Sequence, residues 1–369
     1  MAKICKDIIF ENKKLSDIKV GSKPKYIFVN FDDDSESTLS LERDMEKGEI
    51  NRYRIEPNYT YDIWTNTIPI EFNIVKNPDI YSSQEDAEIT KEEIREITRW
   101  LTSSHLPKWL EVEPDETQEI ENDAVLYKGW FDNIEKWYAF GTVFGLRLHF
   151  KCTSPFAYTK DIINKTTVSS YKNMLITNNS DELSSYCYPT IEITPKSNGE
   201  IYMCNLSDCE TLKNGILSGS TGNTFEELCN VSEQFAREHG YTLKYSSVPG
   251  QVFNTVPICG DTAVQFYLTD IYGNSKKCTA FFLQDTKEYR IINGGFMYMK
   301  VYRDNKVYMD CQKLFITDDT GRMVTYDKLG IHDVDIMYWF RLINGNNTLL
   351  LYGNADFKFT HKESRKVGE

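Results

Sequence analysis

A mainly β fold in two domains is what this sequence predicts, on three observations. Apolar residues alternate with polar ones at period two through several short runs, the mark of strands with one buried face. Tyr and Phe, 23 and 20 of 369 residues, are numerous, and both favour strands over helices. Only two segments carry helix-start signals. The length exceeds the ~100–150 residues of one ordinary core, so a second domain is expected.

The N-terminal domain, 1–158, reads as a β-sandwich or barrel-like body with one helix. Lys25–Phe31 is a short β-branched and aromatic run that stops at Asp32-Asp-Asp-Ser-Glu36. Ile68, Ile70, Phe72 and Ile74 alternate with polar residues or Pro, as a half-buried strand requires. Thr90-Lys-Glu-Glu93 is a capping box, and Ile94, Ile97 and Leu101 follow at helical spacing, ending before Pro107. Residues 111–123 hold seven acids and no base, which reads as a solvated loop. In Phe144–Cys152, Phe144, Leu146, Leu148, Phe150 and Cys152 share one face, and Arg147, His149 and Lys151 share the other. Residues 159–188 turn polar and read as a linker.

The C-terminal domain, 189–369, reads as a β-sandwich with an elaborated or inserted region at about 207–300. Strands are expected at Thr190–Thr194 and Glu200–Met203. A second box, Thr224-Phe-Glu-Glu227, opens a helix carrying Phe225, Leu228, Val231 and Phe235 on one face, with Gly240 as its stop. Hairpins are expected in series: Ala263–Thr269 with Cys278–Leu283, Lys300–Arg303 with Lys306–Met309, a turn after Leu314–Thr317 at Asp319-Thr-Gly321, and Phe340–Ile343 with Thr348–Tyr352.

Composition excludes several classes. Forty-two basic against 55 acidic residues, net −13, argue against a protein whose work is gripping phosphate backbones. No run approaches the ~20 apolar residues of a membrane span, and the first ten residues show no signal peptide. Nine scattered cysteines, an odd number, predict reduced thiols and folding in a cytoplasm. Cys204 and Cys209 lack the second pair of ligands that zinc needs.

Candidate chemistry is thin. Gly219-Ser-Thr-Gly222 precedes a helix but lacks the Lys-Ser/Thr of a P-loop, so it reads as a turn. Asp32–Glu36 offers oxygen ligands without calcium-loop spacing and reads as solvated. His149 lies on the polar face of its strand and has no neighbouring nucleophile motif. No catalytic residue, cofactor site or metal site is expected. Trp100, Trp109, Trp130 and Trp137 cluster in the N-terminal domain, where burial in a core or an interface is the default, and they are the candidate assembly residues.

Several segments in order resemble the distal tail proteins of long, non-contractile-tailed (siphovirus) bacteriophages. They are Phe10–Asp17, Ile94-Arg-Glu-Ile-Thr-Arg-Trp-Leu101, Leu126-Tyr-Lys-Gly129 and Leu148–Tyr158 with its Phe-x-Cys-x-x-Pro ending. Towards the C-terminus, Val307–Cys311, Tyr338–Leu342, Asn344-Gly-Asn346 and Arg365–Gly368 resemble the end of that family's galectin-like β-sandwich. The resemblance implies a virion structural protein at the phage tail tip and no enzyme. It also implies a homo-oligomeric, hexameric ring in the baseplate hub. Its partners would be the tail tube protein, the tail-associated hub protein and receptor-binding or baseplate proteins. DNA would pass through the channel without specific binding, and no membrane is involved. The alternative is a carbohydrate-binding adhesion module that takes a host cell-wall saccharide.

Overall fold

In the computed structural model the chain divides into two compact units, residues 1–160 with 364–369, and residues 161–363. The structure describes residues 5–29, 43–47, 59–64, 68–83, 85–113, 126–139, 141–183, 185–214, 224–245, 263–283, 288–293, 297–331 and 339–366. The Asp32–Glu36 run, the Gly219–Gly222 turn and residues 114–123 of the acidic stretch lie outside them.

The first unit contains β1 (Asp7–Phe10), β2 (Tyr26–Phe28), β3 (Pro69–Lys76), α1 (Lys91–Leu101), β4 (Lys108–Glu113), β5 (Leu126–Ala139), β6 (Thr142–Cys152) and β7 (Ala157–Tyr158). They build one antiparallel sheet in the order Lys13–Lys14, β1, β4, β5, β6, β3, β2. β7 joins at β5 and pairs with Ser364–Arg365. Alternation decides which side is core. Ile8, Phe10, Leu110, Ile70, Phe72, Ile74, Leu148 and Phe150 point one way and are almost fully buried, with Ile97 and Leu101 of α1 packed in the same cluster. At ~25 cal/mol per Å² of apolar area, that burial is the main stabilising term.

The capping box of α1 forms as expected. Thr90 Oγ1 accepts from Glu93 N (3.3 Å), and Glu93 Oε2 accepts from Thr90 N (2.7 Å). Glu93 also holds Lys25 at 2.7 Å and Lys76 at 3.1 Å. Burial pushes its pKa up, but Lys25, the Thr90 N–H and Lys76 outweigh burial and leave it below the ordinary value.

One strand departs from its predicted pattern. In β6 Leu146, Leu148, Phe150 and Cys152 are buried, but Phe144 falls where the pairing slips between Trp137↔Gly145 and Tyr138↔Val143. This irregularity exchanges the faces, and Val143 packs on the core instead.

The second unit begins with β8 (Ile162–Val168), β9 (Tyr171–Asn178), β10 (Thr190–Pro195) and β11 (Gly199–Asn205). An insert follows: β12 (Glu210–Asn214), α2 (Phe225–Glu238), β13 (Thr242–Tyr245), β14 (Ala263–Thr269), β15 (Ser275–Leu283) and β16 (Glu288–Asn293). The sandwich resumes with β17 (Met297–Val301), β18 (Val307–Asp310), β19 (Phe315–Asp318), β20 (Gly345–Tyr352) and β21 (Ala355–His361). One layer runs β8-β21-β10-β18-β19 and the other β9-β20-β11-β17, all antiparallel. Between them lie Ile191, Ile193, Ile201, Met203, Met299, Met309, Leu349, Leu351, Phe357 and Phe359.

The insert leaves from β11 and re-enters at β17, and these two strands pair from Gly199↔Val301 to Met203↔Met297. It has its own sheet, β12-β16-β15-β14-β13, and its own core, where Leu228, Val231 and Phe235 of α2 meet Phe266, Leu268 and Phe282. Thr224 caps α2 by accepting from Glu227 N at 3.2 Å, and Gly240 after its end has φ +70°, a conformation glycine adopts without strain.

Three sequence expectations need correction. Residues 159–188 do not form a linker, because β8 and β9 occupy most of them. Their polar composition is that of edge strands with one wet face. Lys300–Arg303 and Lys306–Met309 do not make a hairpin either. β17 pairs with β11 in one layer and β18 with β10 in the other, so the turn at Asp304 (φ +62°) carries the chain between layers. Nor does Phe340–Ile343 pair with β20. Phe340 and Leu342 are fully buried plugs of the sandwich, fixed by a bridge between Leu342 and Cys187.

Candidate functional site

Trp130 and Trp137 are seven positions apart on β5, an odd spacing that puts two side chains on opposite faces of a regular strand. The structure puts them on the same face. Between Phe131 and Asn133 the pairing slips by one residue, so Asp132 is the extra residue of a β-bulge. Across the bulge Trp130 opposes Lys151, Asn133 opposes His149, Glu135 opposes Arg147, and Trp137 opposes Gly145. Because Arg147, His149 and Lys151 lie on the face away from the core, so do both tryptophans. Trp109 joins them through its pairing with Lys128, two residues before Trp130.

These rings are open to solvent. Trp109 and Trp130 are each 37% exposed and Trp137 45%. Trp109 meets Tyr158 edge-on at 5.2 Å between centroids, and Lys128 Nζ lies 5.7 Å from its ring centre. His149 Nδ1 stands 3.1 Å from Glu71, and Nε2 3.5 Å from Glu135. Arg147 Nε donates to Asn73 Oδ1 at 3.2 Å. The result is an aromatic surface framed by ionic side chains held in register by the sheet. Aromatic residues set in such a frame are the usual anchors of protein interfaces.

Gly129 makes this placement possible. A Cβ there would sit 2.1 Å from the Lys151 carbonyl oxygen and 2.8 Å from the Phe150 ring. Only glycine lets β5 and β6 close up with Phe150 beneath Trp130's strand.

Trp100 is elsewhere. It belongs to α1, donates from Nε1 to the Phe10 carbonyl at 3.0 Å, packs on the core cluster and carries Lys13 5.0 Å from its ring centre. Of the four tryptophans singled out by sequence, the structure places three on one face of the sheet, spread along it, and packs the fourth on the core. The ionic frame was missed, and the only sequence signal for it is the alternation Arg147-x-His149-x-Lys151.

Other sequence candidates are placed as well. Among the described residues no group of three His, Cys, Asp or Glu side chains could hold a metal ion. Cys204 and Cys209 have their sulfurs 3.8 Å apart, are buried, and are both free thiols. Burial holds Cys209 well above the ordinary thiol range. No helix among the described residues is long and apolar enough to cross a membrane.

The described residues build two antiparallel β units, one of which presents an aromatic surface framed by charge. Family comparison gives the particular class. Residues 3–154 match the model described as phage tail protein N-terminal domain, and residues 156–221 match the phage tail C-terminal domain. Together the two matches span more than half of the chain, and it belongs to this phage tail protein family. No curated protein matches it. Among solved structures, the crystal structure of the SPP1 Dit protein, described as a paradigm of the hub adsorption apparatus in phages infecting Gram-positive bacteria, is similar at 12% identity. That likeness covers 96% of this chain and 98% of the other, with a TM-score of 0.48. At that level it informs neither partner nor role.

Proposed function

We propose that this chain is a distal tail protein of a long non-contractile-tailed phage: a non-catalytic hub component that closes into a homo-oligomeric ring, six-fold by the resemblance. Such a ring joins the tail tube to the tail-tip and receptor-binding apparatus, and its channel lets DNA pass. The observation that carries the reading is the surface of Trp109, Trp130 and Trp137 in a matched phage-tail N-terminal domain. Rings close through heterologous contacts, and exposed aromatics in an ionic frame suit them. A net charge of −13 keeps a lumen from trapping DNA, whose affinity follows cationic contacts.

The adhesion alternative draws less support. Tyr171, Tyr352, Tyr202 and Tyr298 stand opposite one another across all four strands of the β9-β20-β11-β17 layer. Yet Tyr202 is only 5% exposed, and Glu200 accepts from the hydroxyls of Tyr202 (3.0 Å) and Tyr298 (2.9 Å). The middle of the row is packed and its hydroxyls engaged, leaving Tyr171 at one end as its exposed ring, 37% exposed.

Negative-stain electron microscopy of the purified chain, with its mass in solution, tests the proposal. Rings with an open channel are expected, and Trp130→Ala combined with Trp137→Ala should leave folded monomers. Rings that survive the double variant would move the assembly surface elsewhere. A chain that stays monomeric even with the tail tube protein added would overturn the ring.

A further inference from the structure

The five-stranded layer of the second unit also has an outward face, and its charge opposes that of the whole chain. An open groove of about 750 Å³ there is lined by Lys165, Lys196 and Lys358, with Lys172 reaching in from β9 of the other layer and Glu192 and Asp356 as its carboxylates. Lys165 stands directly opposite Lys358 in the β8–β21 ladder, and like charges so placed destabilise a sheet. The two carboxylates are already engaged. Glu192 is shared by Lys306 at 3.2 Å and Lys358 at 3.4 Å, and Asp356 holds Lys196 at 2.7 Å. Lys172 reaches only the neutral hydroxyl of Thr166 at 2.7 Å, and Lys165 has no carboxylate partner among the described residues. Four lysines against two carboxylates give a net positive groove in a chain of net charge −13. Keeping Lys165 against Lys358 costs stability that a bound polyanion would return.

The same chain contains a matching polyanion. Residues 115–123 carry Asp115, Glu116, Glu119, Glu121 and Asp123 and no base. The two acids just before them are already paired, Glu111 with Lys160 and Glu113 with Lys14, both at 2.5 Å. We propose that the lysine groove docks the acidic segment 115–123 of a second copy of this chain. A head-to-tail contact needs two different and complementary patches on one protomer, and the basic groove and the acidic segment are such a pair. As a ring contact the docking rests on the hub reading above, while the binding itself can be measured without it.

The test uses the full chain and a fluorescent peptide of residues 111–125. Anisotropy should report binding that weakens about tenfold or more in Lys165→Glu with Lys172→Glu, and also on raising salt from about 0.05 to 0.5 M. Solution mass supplies the second readout. Lys165→Glu with Lys172→Glu, and separately Glu116→Lys with Glu119→Lys, should each lower the assembled mass. An equimolar mixture of the two chains should restore it, as should all four changes on one chain. A peptide that does not bind, or that binds the reversed-lysine chain equally well, overturns the proposal. Dextran sulfate binding that depends on Lys165 while the peptide fails would overturn it in favour of an anionic glycan. Peptide binding by a wild-type chain that never forms rings would leave the docking standing and sink the ring.

Discussion

The outward faces of the two units are both made of antiparallel strands whose other side is core, yet they are furnished oppositely. In the first unit the polar side chains have partners within the face: Lys128 lies near the Trp109 ring, His149 between Glu71 and Glu135, and Arg147 against Asn73. What sets that face apart is its exposed tryptophans, Trp109, Trp130 and Trp137. In the second unit the face has no exposed tryptophan, its lysines outnumber its carboxylates, and Lys165 opposes Lys358. Under the two proposals the difference means that one surface is covered by an apolar partner and the other by negative charge. Their responses to mutation and to salt should therefore diverge.

Three changes sharpen that contrast. The largest effect is expected from Gly129→Ala, whose Cβ would strike the Lys151 backbone and the Phe150 ring. Such overpacking costs about 3 kcal/mol. Chemical denaturation should show the first unit unfolding early while the second keeps its midpoint, and a shared shift of both would mean that the units unfold together.

A second change concerns His361 on the core-facing side of β21. It is 3% exposed, the Thr177 backbone is its hydrogen-bonding neighbour, and Glu363 Oε1 lies 3.9 Å from Nε2. Burial lowers its pKa from 6.5, with the Glu363 carboxylate and the Thr177 backbone pulling the other way. Because the folded state binds this proton more weakly than the unfolded chain, stability is complete above about 6.5. It falls as pH drops below that value and through the folded pKa. His361→Gln should flatten this acid limb in denaturation midpoints taken between about pH 7 and 5. An unchanged limb would assign it to other groups.

The smallest effect is a gain. Lys165→Thr removes the like-charge pair and should raise the melting temperature of the isolated chain by about 1 °C, less at high salt. A loss instead would show that Lys165 is already compensated in the free protein.

How much of this was legible depended on distance along the chain. Local signals read correctly: both helix starts at Thr90 and Thr224, and the hairpin of β14 and β15. That hairpin's turn is fixed by Asp270, which accepts from Tyr272 N (2.9 Å) and Asn274 N (2.8 Å). Alternation likewise separated Leu148 and Phe150 from His149 and Lys151. Pairing between distant segments did not read. The turn at Asp304 looks like a hairpin in one dimension, but its two arms enter different layers. Trp130 and Trp137 could not be assigned to one surface because the slip at Asp132 has no composition of its own. The polar dress of β8 and β9 concealed two strands. The lysine face required Lys165, Glu192 and Lys358 to be brought together from three parts of the chain.

The route of the insert has a consequence for descent. Asn205 and Met297 end paired strands, so everything between them hangs from a doorway only one ladder wide. A lineage could exchange that passenger domain, or lose it for a short connection, without rewriting the sandwich. The chief obligation left to the host would be the apolar patch of Tyr202, Cys204 and Leu350 that Phe281 now covers. Variety among kin should therefore gather at this doorway, while the two layers on either side drift slowly.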